Sequence, residues 1–196
     1  MKRYNTFDLI MIALFAALGL GTKQIIRPII EPVTIALVIP GGALIGGFYM
    51  LWLVLTKSFI PKFGSGTLFG IVQAIVVIIL PFGSHGIFTF LTYPLPGLAI
   101  DLIDLFFVKR NHVIVICVLE GALANVVGTT AVSLFLFSLP LEIFLFILLL
   151  AIFSGNLGGI LAFLILKQVK NPVLRATLFP NEMKEQKGNQ EELASK

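Results

Sequence analysis

The chain has 196 residues, of which 58% are hydrophobic and 12% are charged. Soluble domains carry about 25% charged residues, so this composition excludes an ordinary soluble protein and indicates repeated crossings of a lipid bilayer. The formal net charge of +4 does not indicate a nucleic-acid partner, because the basic residues flank apolar segments. Beyond those segments and one polar tail, too little chain remains for a soluble enzyme domain.

Hydropathy and segment length predict an all-α protein, a bundle of six transmembrane helices, since each crossing needs about 20 apolar residues. The predicted spans are 7–22, 36–56, 63–81, 88–108, 112–138 and 140–167. Turn-forming residues separate these spans, beginning with Arg27-Pro28 and Glu31-Pro32 in the first connection. Residues 1–170 are therefore expected to form the membrane domain, and residues 171–196 a polar cytoplasmic tail.

Small residues recur at every fourth position on the first span, at Ala13, Ala17 and Gly21. This spacing places them on one helix face, where the backbone of another helix can approach closely. The strip serves either packing within the chain or docking of a separate membrane partner. Other small-residue strips are expected to close the bundle on itself, namely Gly42 with Gly46, Gly66 with Gly70 and Ala74, and Gly155 with Gly159.

The positions of the basic residues predict the orientation of the chain. Twelve of the 14 lysines and arginines fall on one side of the predicted spans, and only Lys23 and Arg27 fall on the other. Because cytoplasmic loops carry the excess of basic residues, both termini are predicted to be cytoplasmic. The inner half of the first span then contains Ala13, which favours a partner that works from the cytoplasm.

Polar side chains inside the spans are the candidate binding residues, because each is costly in lipid unless it is paired or functional. Asp101, Asp104 and Glu120 are predicted in the inner half of the membrane. Nearer the middle lie Gln73, Asn125 and Asn156, and toward the outer face lie Arg27, Glu31 and His85. The asparagines also suit helix pairing, and Arg27 with Glu31 suits either a pair in a gating loop or a solvated surface pair.

Several kinds of chemistry are missing from the sequence. It contains no G-x-x-x-x-G-K-[ST] motif, so the chain is not expected to hydrolyse ATP itself. Two histidines and the single cysteine, Cys117, have no metal-binding spacing, and Cys117 is expected to be a buried structural thiol. No nucleophile has an evident base. The chain is therefore predicted not to be an enzyme. We expect no catalytic residue, metal site or cofactor.

Taken together, the features resemble the substrate-binding S components of energy-coupling factor (ECF) transporters, and their order is most similar to the thiamine/hydroxymethylpyrimidine permease branch. The resemblance rests on the Ala13–Ala17 pair, the proline-marked first connection and the glycine-containing segment 63–67 that opens the third span. It also rests on the step from Gly97 to Asp101 and on Ser154-Gly155 in the last span. The third span departs from that branch, offering Gln73 in place of acidic residues.

The resemblance implies a mechanism and its participants. An S component binds a vitamin or precursor, here a thiamine- or pyrimidine-like one, in the outer half of its bundle and uses the first connection as a lid. It docks through its first span onto a transmembrane coupling subunit driven by two cytoplasmic ATPases in a prokaryotic plasma membrane. On this match Ala13, Ala17 and Gly21 carry docking, and the ligand-site residues are Arg27, Glu31, Gln73, His85, Asp101, Asn125 and Asn156.

A structural scaffold or an intramembrane enzyme is a third interpretation, and the main alternative is a self-sufficient secondary transporter or channel for a small polar solute. Such proteins show internal repeats, with interrupted helices at matching positions in their two halves. Comparison of residues 7–81 with 88–167 reveals no convincing repeat, which favours the S component.

Overall fold

Seven α-helices account for most of the residues that the structure describes. The structure is a computed structural model and describes residues 3–37, 39–80, 86–106, 113–137 and 139–169. In these ranges there is no β-strand. The helices are α1 (Thr6–Leu37), α2 (Gly41–Phe59), α3 (Ser65–Ile79), α4 (Thr89–Thr92), α5 (Pro94–Phe106), α6 (Val113–Leu136) and α7 (Leu141–Val169), with a 3-10 turn at Gly86–Phe88.

The first helix is much longer than predicted, because α1 runs without a break from Thr6 to Leu37. The prediction of a connection across residues 23–35 is wrong, and Pro28 and Pro32 lie inside the helix. Each proline removes one helical hydrogen bond. Being four residues apart, both lie on the same side of α1, and surrounding lipid favours keeping all the other backbone bonds within the helix. Arg27 and Glu31 therefore belong to α1 rather than to a lid loop.

The fourth predicted span is divided near its middle. Instead of one helix over 88–108, α4 ends at Thr92 and α5 starts at Pro94. Proline suits this position because it lacks a backbone N–H and its fixed φ fits the first turn of a helix. Thr92 and Tyr93 lie at this break, and both line the cavity described below.

Five helical segments are long and apolar enough to cross a membrane among the residues described. They are Thr6–Ala36, Gly41–Phe59, Gly86–Asp104, Ile114–Leu136 and Leu141–Val169. The third predicted span is also helical and apolar, but α3 has only 15 residues. The chain is thus a multi-pass helical membrane protein, while the sixth crossing and the cytoplasmic position of both termini stay predictions.

Glycines allow the helices of the bundle to approach closely. A Cβ atom added at Gly97 would lie 2.0 Å from the Gly66 carbonyl oxygen, so α3 and α5 touch backbone to backbone. The same holds for α6 and α7, where a Cβ at Gly155 would lie 2.5 Å from the carbonyl oxygen of Gly121. The strips at Gly66 and Gly155 therefore close the bundle, as predicted, whereas Gly42 has no neighbour within 4 Å of an added Cβ.

The chain divides into two compact units, Met1–Phe163 and Leu164–Lys196. The first contains α1 to α6 and most of α7. The described part of the second is the end of α7, residues 164–169. The predicted tail at 171–196 lies outside the described residues, and the predicted domain boundary stays a prediction.

Candidate functional site

The polar side chains of the first unit gather in two separate places. One is a buried ionic cluster formed by Lys57, Asp101 and Asp104. The other is a cavity of about 460 Å³ lined by residues of α1 to α6. The opposite charges of the cluster pair with one another, which suits a structural role. The cavity has open volume beside its polar groups, which suits ligand binding.

The ionic cluster joins α2 to α5. The Lys57 Nζ lies 2.7 Å from Asp101 Oδ1 and 2.6 Å from Asp104 Oδ2, and the side chains of Lys57 and Asp101 are fully buried. Lys57 also donates to the carbonyl oxygen of Lys62 at 3.2 Å. A lysine buried in the bundle is thereby neutralised and hydrogen-bonded, which is what a buried charge requires.

Asp101 has a structural position rather than a place in the cavity. Its Oδ2 accepts hydrogen bonds from the backbone N–H and the hydroxyl of Thr67, at 2.8 and 2.7 Å, and its Oδ1 accepts one from the N–H of Gly66 at 3.2 Å. With Lys57 added, both carboxylate oxygens are in use. Asp101 thus caps the first turn of α3, where a negative charge is favoured.

A second ion pair lies before α3, where Lys62 contacts Asp8. Lys62 also donates to the backbone oxygen of Arg3 at 3.1 Å. Tyr4 donates its hydroxyl to the carbonyl oxygen of Phe63 at 2.6 Å. Partial burial raises the pKa of Tyr4, and the carboxylates of Asp101 and Asp8 raise it further. The start of the chain is therefore tied to the turn between α2 and α3.

The cavity gathers four of the seven residues predicted to bind ligand, namely Arg27, Glu31, Gln73 and Asn125. Asp101 and Asn156 are not among its lining residues. His85 lies outside the described residues. Arg27 and Glu31 come from α1, Gln73 from α3 and Asn125 from α6, so residues distant in sequence meet at one place.

Lys23 is the charged residue of the described cavity lining that the sequence does not predict as a ligand residue. Its Nζ donates to the Tyr93 hydroxyl at 2.6 Å and lies 4.6 Å from the centre of the Tyr93 ring and 5.9 Å from that of Tyr49. The prediction placed Lys23 in a loop, where a lysine needs no explanation. Within a continuous membrane-spanning helix, the same lysine is a costly group that indicates a function.

Two glycines make room for the amide side chains of the cavity. A Cβ at Gly46 would lie 1.8 Å from Asn125 Oδ1, and a Cβ at Gly19 would lie 2.6 Å from Gln73 Nε2. The amide groups are held by helix carbonyls, because Asn125 donates to Ala151 at 2.9 Å and Gln73 donates to Ala16 at 3.1 Å. Both amides are therefore fixed in orientation at the cavity wall.

Arg27 and Glu31 form an ion pair at the cavity, with Arg27 Nη2 3.1 Å from Glu31 Oε1. The pair is one turn of α1 apart, as the sequence spacing predicts. Both side chains are partly exposed, at 34% and 45%. The gating-loop interpretation is wrong, because both residues lie within α1. The pair is partly exposed, as the surface-pair interpretation predicts, and it also lines the cavity.

Two buried threonine hydroxyls complete the polar lining. Thr92 and Thr129 both line the cavity and are 5% and 3% exposed. Neither hydroxyl oxygen has a hydrogen-bond partner within the described part of the chain. A buried polar group without a partner costs about 1–3 kcal/mol, so such groups are uncommon, and a ligand or water in the cavity would supply the missing hydrogen bonds.

Replacing Thr129 by valine is expected to leave the free energy of unfolding unchanged or to raise it by up to about 1 kcal/mol, because no protein hydrogen bond is lost. Thermal unfolding in detergent, followed by circular dichroism, measures the effect. Thr56→Val is the matched control, since the buried Thr56 hydroxyl donates to the Trp52 carbonyl oxygen at 2.8 Å. The Thr56→Val variant is expected to have a free energy of unfolding about 1 kcal/mol lower than the wild type, because it loses this hydrogen bond. Equal destabilisation by both substitutions would contradict the assignment.

Comparison with known families identifies the class of the chain. Residues 7–127 match the family described as "ABC-type cobalt transport system, permease component". The chain belongs to this family of transport permeases. No curated protein and no solved structure matches it. The matched region of the permease covers α1 to α5 and more than half of α6, and so includes Lys23 and the predicted binding residues that line the cavity.

The small-residue face of this permease component lies on the outside of α1. Ala13, Ala17 and Gly21 are all exposed, and a Cβ added at Gly21 would meet no atom within 4 Å. The opposite face of α1 is buried, through Ile12, Ala16 and other residues. Packing between described helices therefore leaves the strip uncovered, whereas the strips on α3 and α7 are used within the chain.

Proposed function

We propose that this permease component is the substrate-binding S component of an ECF-type importer and that its cavity holds a small vitamin or vitamin precursor. The observation that carries the proposal is the cavity itself. It has the volume of a small-molecule site and combines apolar and aromatic walls with a few fixed polar groups, as such sites do. The resemblance implies a thiamine- or pyrimidine-like ligand, so such compounds are the first to be tested as cargo, but the proposed role does not depend on the charge of the cargo.

An organic cargo suits the cavity better than a bare cobalt ion. Divalent transition metals are held by imidazole, thiolate or carboxylate ligands. Among the described lining residues only Glu31 is of that kind, and it is paired with Arg27. No group of three or more histidine, cysteine or acidic side chains in the described ranges is arranged to hold a metal. We therefore do not propose cobalt as the cargo of this chain.

The proposed partners are a transmembrane coupling subunit and two cytoplasmic ATPases, since the sequence lacks an ATP-binding motif of its own. The exposed Ala13–Ala17 face supports docking of the coupling subunit, because small residues permit close helix contact in lipid. The proposed location is a prokaryotic plasma membrane with both termini in the cytoplasm.

Reconstitution tests this function. Proteoliposomes are prepared with the chain alone or with the coupling subunit and both ATPases, and uptake of labelled thiamine, of hydroxymethylpyrimidine and of any compound that co-purifies with the chain is measured. We expect uptake only with the complete set of subunits and ATP. Uptake by the chain alone would instead support a self-sufficient transporter.

A further inference from the structure

We infer that the cavity binds a small organic anion, whose acidic group pairs with Lys23. The inference rests on the proposed function, in that it takes this cavity to be the substrate site, and it specifies the charge of the substrate. It differs from the thiamine-like expectation, which would place a cation in the same cavity.

The surroundings of Lys23 carry the first step. Its ammonium group contacts the Tyr93 hydroxyl and the faces of the Tyr93 and Tyr49 rings, all of them polar or polarisable groups without formal charge. No carboxylate lies within ion-pair distance of Lys23 in the described ranges. Charged side chains in membrane-spanning helices line cavities and pair with opposite charges or backbone carbonyls, and such residues mark substrate sites. A bound anion would supply the opposite charge.

The formal charges of the cavity point in the same direction. Its described lining carries two positive groups, Lys23 and Arg27, and one negative group, Glu31. Glu31 is paired with Arg27, so the sum is one positive charge, on Lys23. Asp101, which would suit a cation, is engaged with Lys57 and the first turn of α3. A cation in this cavity would meet a like charge, and an anion an opposite one.

The threonine hydroxyls provide further contacts for such a ligand. Thr92 directly precedes Tyr93 in sequence, and Thr129 reaches the same cavity from α6. A hydroxyl can donate to a carboxylate or phosphate oxygen or accept from a ring N–H. Because neither hydroxyl has a partner in the described part of the protein, a ligand that bonds both would relieve a buried polar group.

The remaining walls indicate an unsaturated or aromatic body for the ligand. Tyr49, Phe69, Met50 and Leu53 line the cavity, and Phe69 is 3% exposed. Aromatic side chains stack on flat rings, and the sulfur of methionine makes favourable contacts with them. The substrate class is therefore a small aromatic compound with an acidic group.

A matched series of probes tests the charge. Indole-3-acetate, indole-3-acetamide and tryptamine share one ring system and are anionic, neutral and cationic at pH 7. Their dissociation constants for the full chain in detergent are measured by equilibrium dialysis of labelled probe. We expect the acid to bind at least about tenfold more tightly than the amide and the amine, which corresponds to about 1.4 kcal/mol.

Substitutions at Lys23 test whether this residue causes the preference for the acid. Lys23→Met is expected to abolish the tighter binding of indole-3-acetate, and Lys23→Arg to retain it. Lys167→Met removes an equal charge from an exposed position near the end of α7 and is expected to bind like the wild type. Equal or tighter binding of the amide or amine, an unchanged preference in Lys23→Met, or no binding of any probe would each overturn the assignment. The wild-type and Lys23→Arg measurements decide the question even if Lys23→Met fails to fold.

Failure of this inference is distinguishable from failure of the proposed function. ATP-dependent uptake of a cationic or neutral compound by the complete transporter would overturn the anion assignment and leave the S-component role intact. Uptake without the ATPases would overturn the S-component role, whatever the charge of the compound.

Discussion

Replacing Lys57 by methionine is expected to lower the free energy of unfolding by about 3–5 kcal/mol, because it leaves two carboxylates without their cation. Asp101 is fully buried and Asp104 has 17% of its side chain exposed, and both lie within 2.7 Å of Lys57 Nζ. Methionine retains the length of the side chain, so the loss reports the charge. The unfolding temperature in detergent, together with the monodisperse fraction on size exclusion, measures it.

Lys62→Met is the matched control for this prediction. Lys62 also pairs with an aspartate, Asp8, but both of these side chains are partly exposed, whereas Lys57 and Asp101 are both fully buried. Removing the cation of the exposed pair is expected to cost less, because water can solvate the carboxylate that is left. If Lys57→Met were no more destabilising than Lys62→Met, the cluster would not hold the bundle together as described.

Tryptophan at Ala13 or Ala17 is expected to abolish uptake by the assembled transporter while leaving ligand binding to the isolated chain unchanged. Both residues are exposed on α1 and neither lines the cavity. Close helix contact depends on small side chains, and an indole would hold the two backbones apart. A loss of about 2.8 kcal/mol in docking free energy reduces the complex about 100-fold. Co-purification of the coupling subunit and uptake in proteoliposomes measure the two effects.

Leu149→Trp provides the control, since Leu149 is 66% exposed and belongs to α7, whereas the small-residue face belongs to α1. It introduces the same indole into a membrane-facing position and is expected to leave both assembly and uptake intact. The docking proposal fails if Ala17→Trp still assembles and transports, or if it loses ligand binding in the isolated chain.

The class of the protein and most of its helices are predictable from the sequence. Hydropathy along the chain is sufficient for α2, α6 and α7, whose observed bounds differ from the predicted spans by only a few residues except at the start of α2. The self-packing of the glycine strips at Gly66 and Gly155 is likewise predictable, because small-residue spacing determines which helix faces can approach.

The errors in the helices share one cause. As turn-forming residues, Pro28 and Pro32 predict a connection after the first span, yet α1 continues through both. At Tyr93-Pro94, by contrast, a proline does separate two helices. A proline only removes one hydrogen bond, and the surrounding structure decides whether the helix continues beyond it.

The binding site was only half predictable, as two charged residues illustrate. Asp101 has the residue type of a ligand contact, but Lys57 and Thr67 occupy its oxygens. Lys23 was assigned to a loop, but it lines the cavity beside Tyr93. Residue type and spacing within one helix do not determine which charged side chains form ion pairs. They also do not determine which polar side chains face the cavity.

Composition and hydropathy alone establish a multi-pass helical membrane protein, because the cost of placing a residue in lipid depends mainly on that residue and its sequence neighbours. Only the tertiary structure separates the ionic cluster at Lys57 from the cavity at Lys23 and leaves Ala13 and Ala17 uncovered. These features depend on which faces of distant helices meet, and the residue spacing within one helix does not determine that.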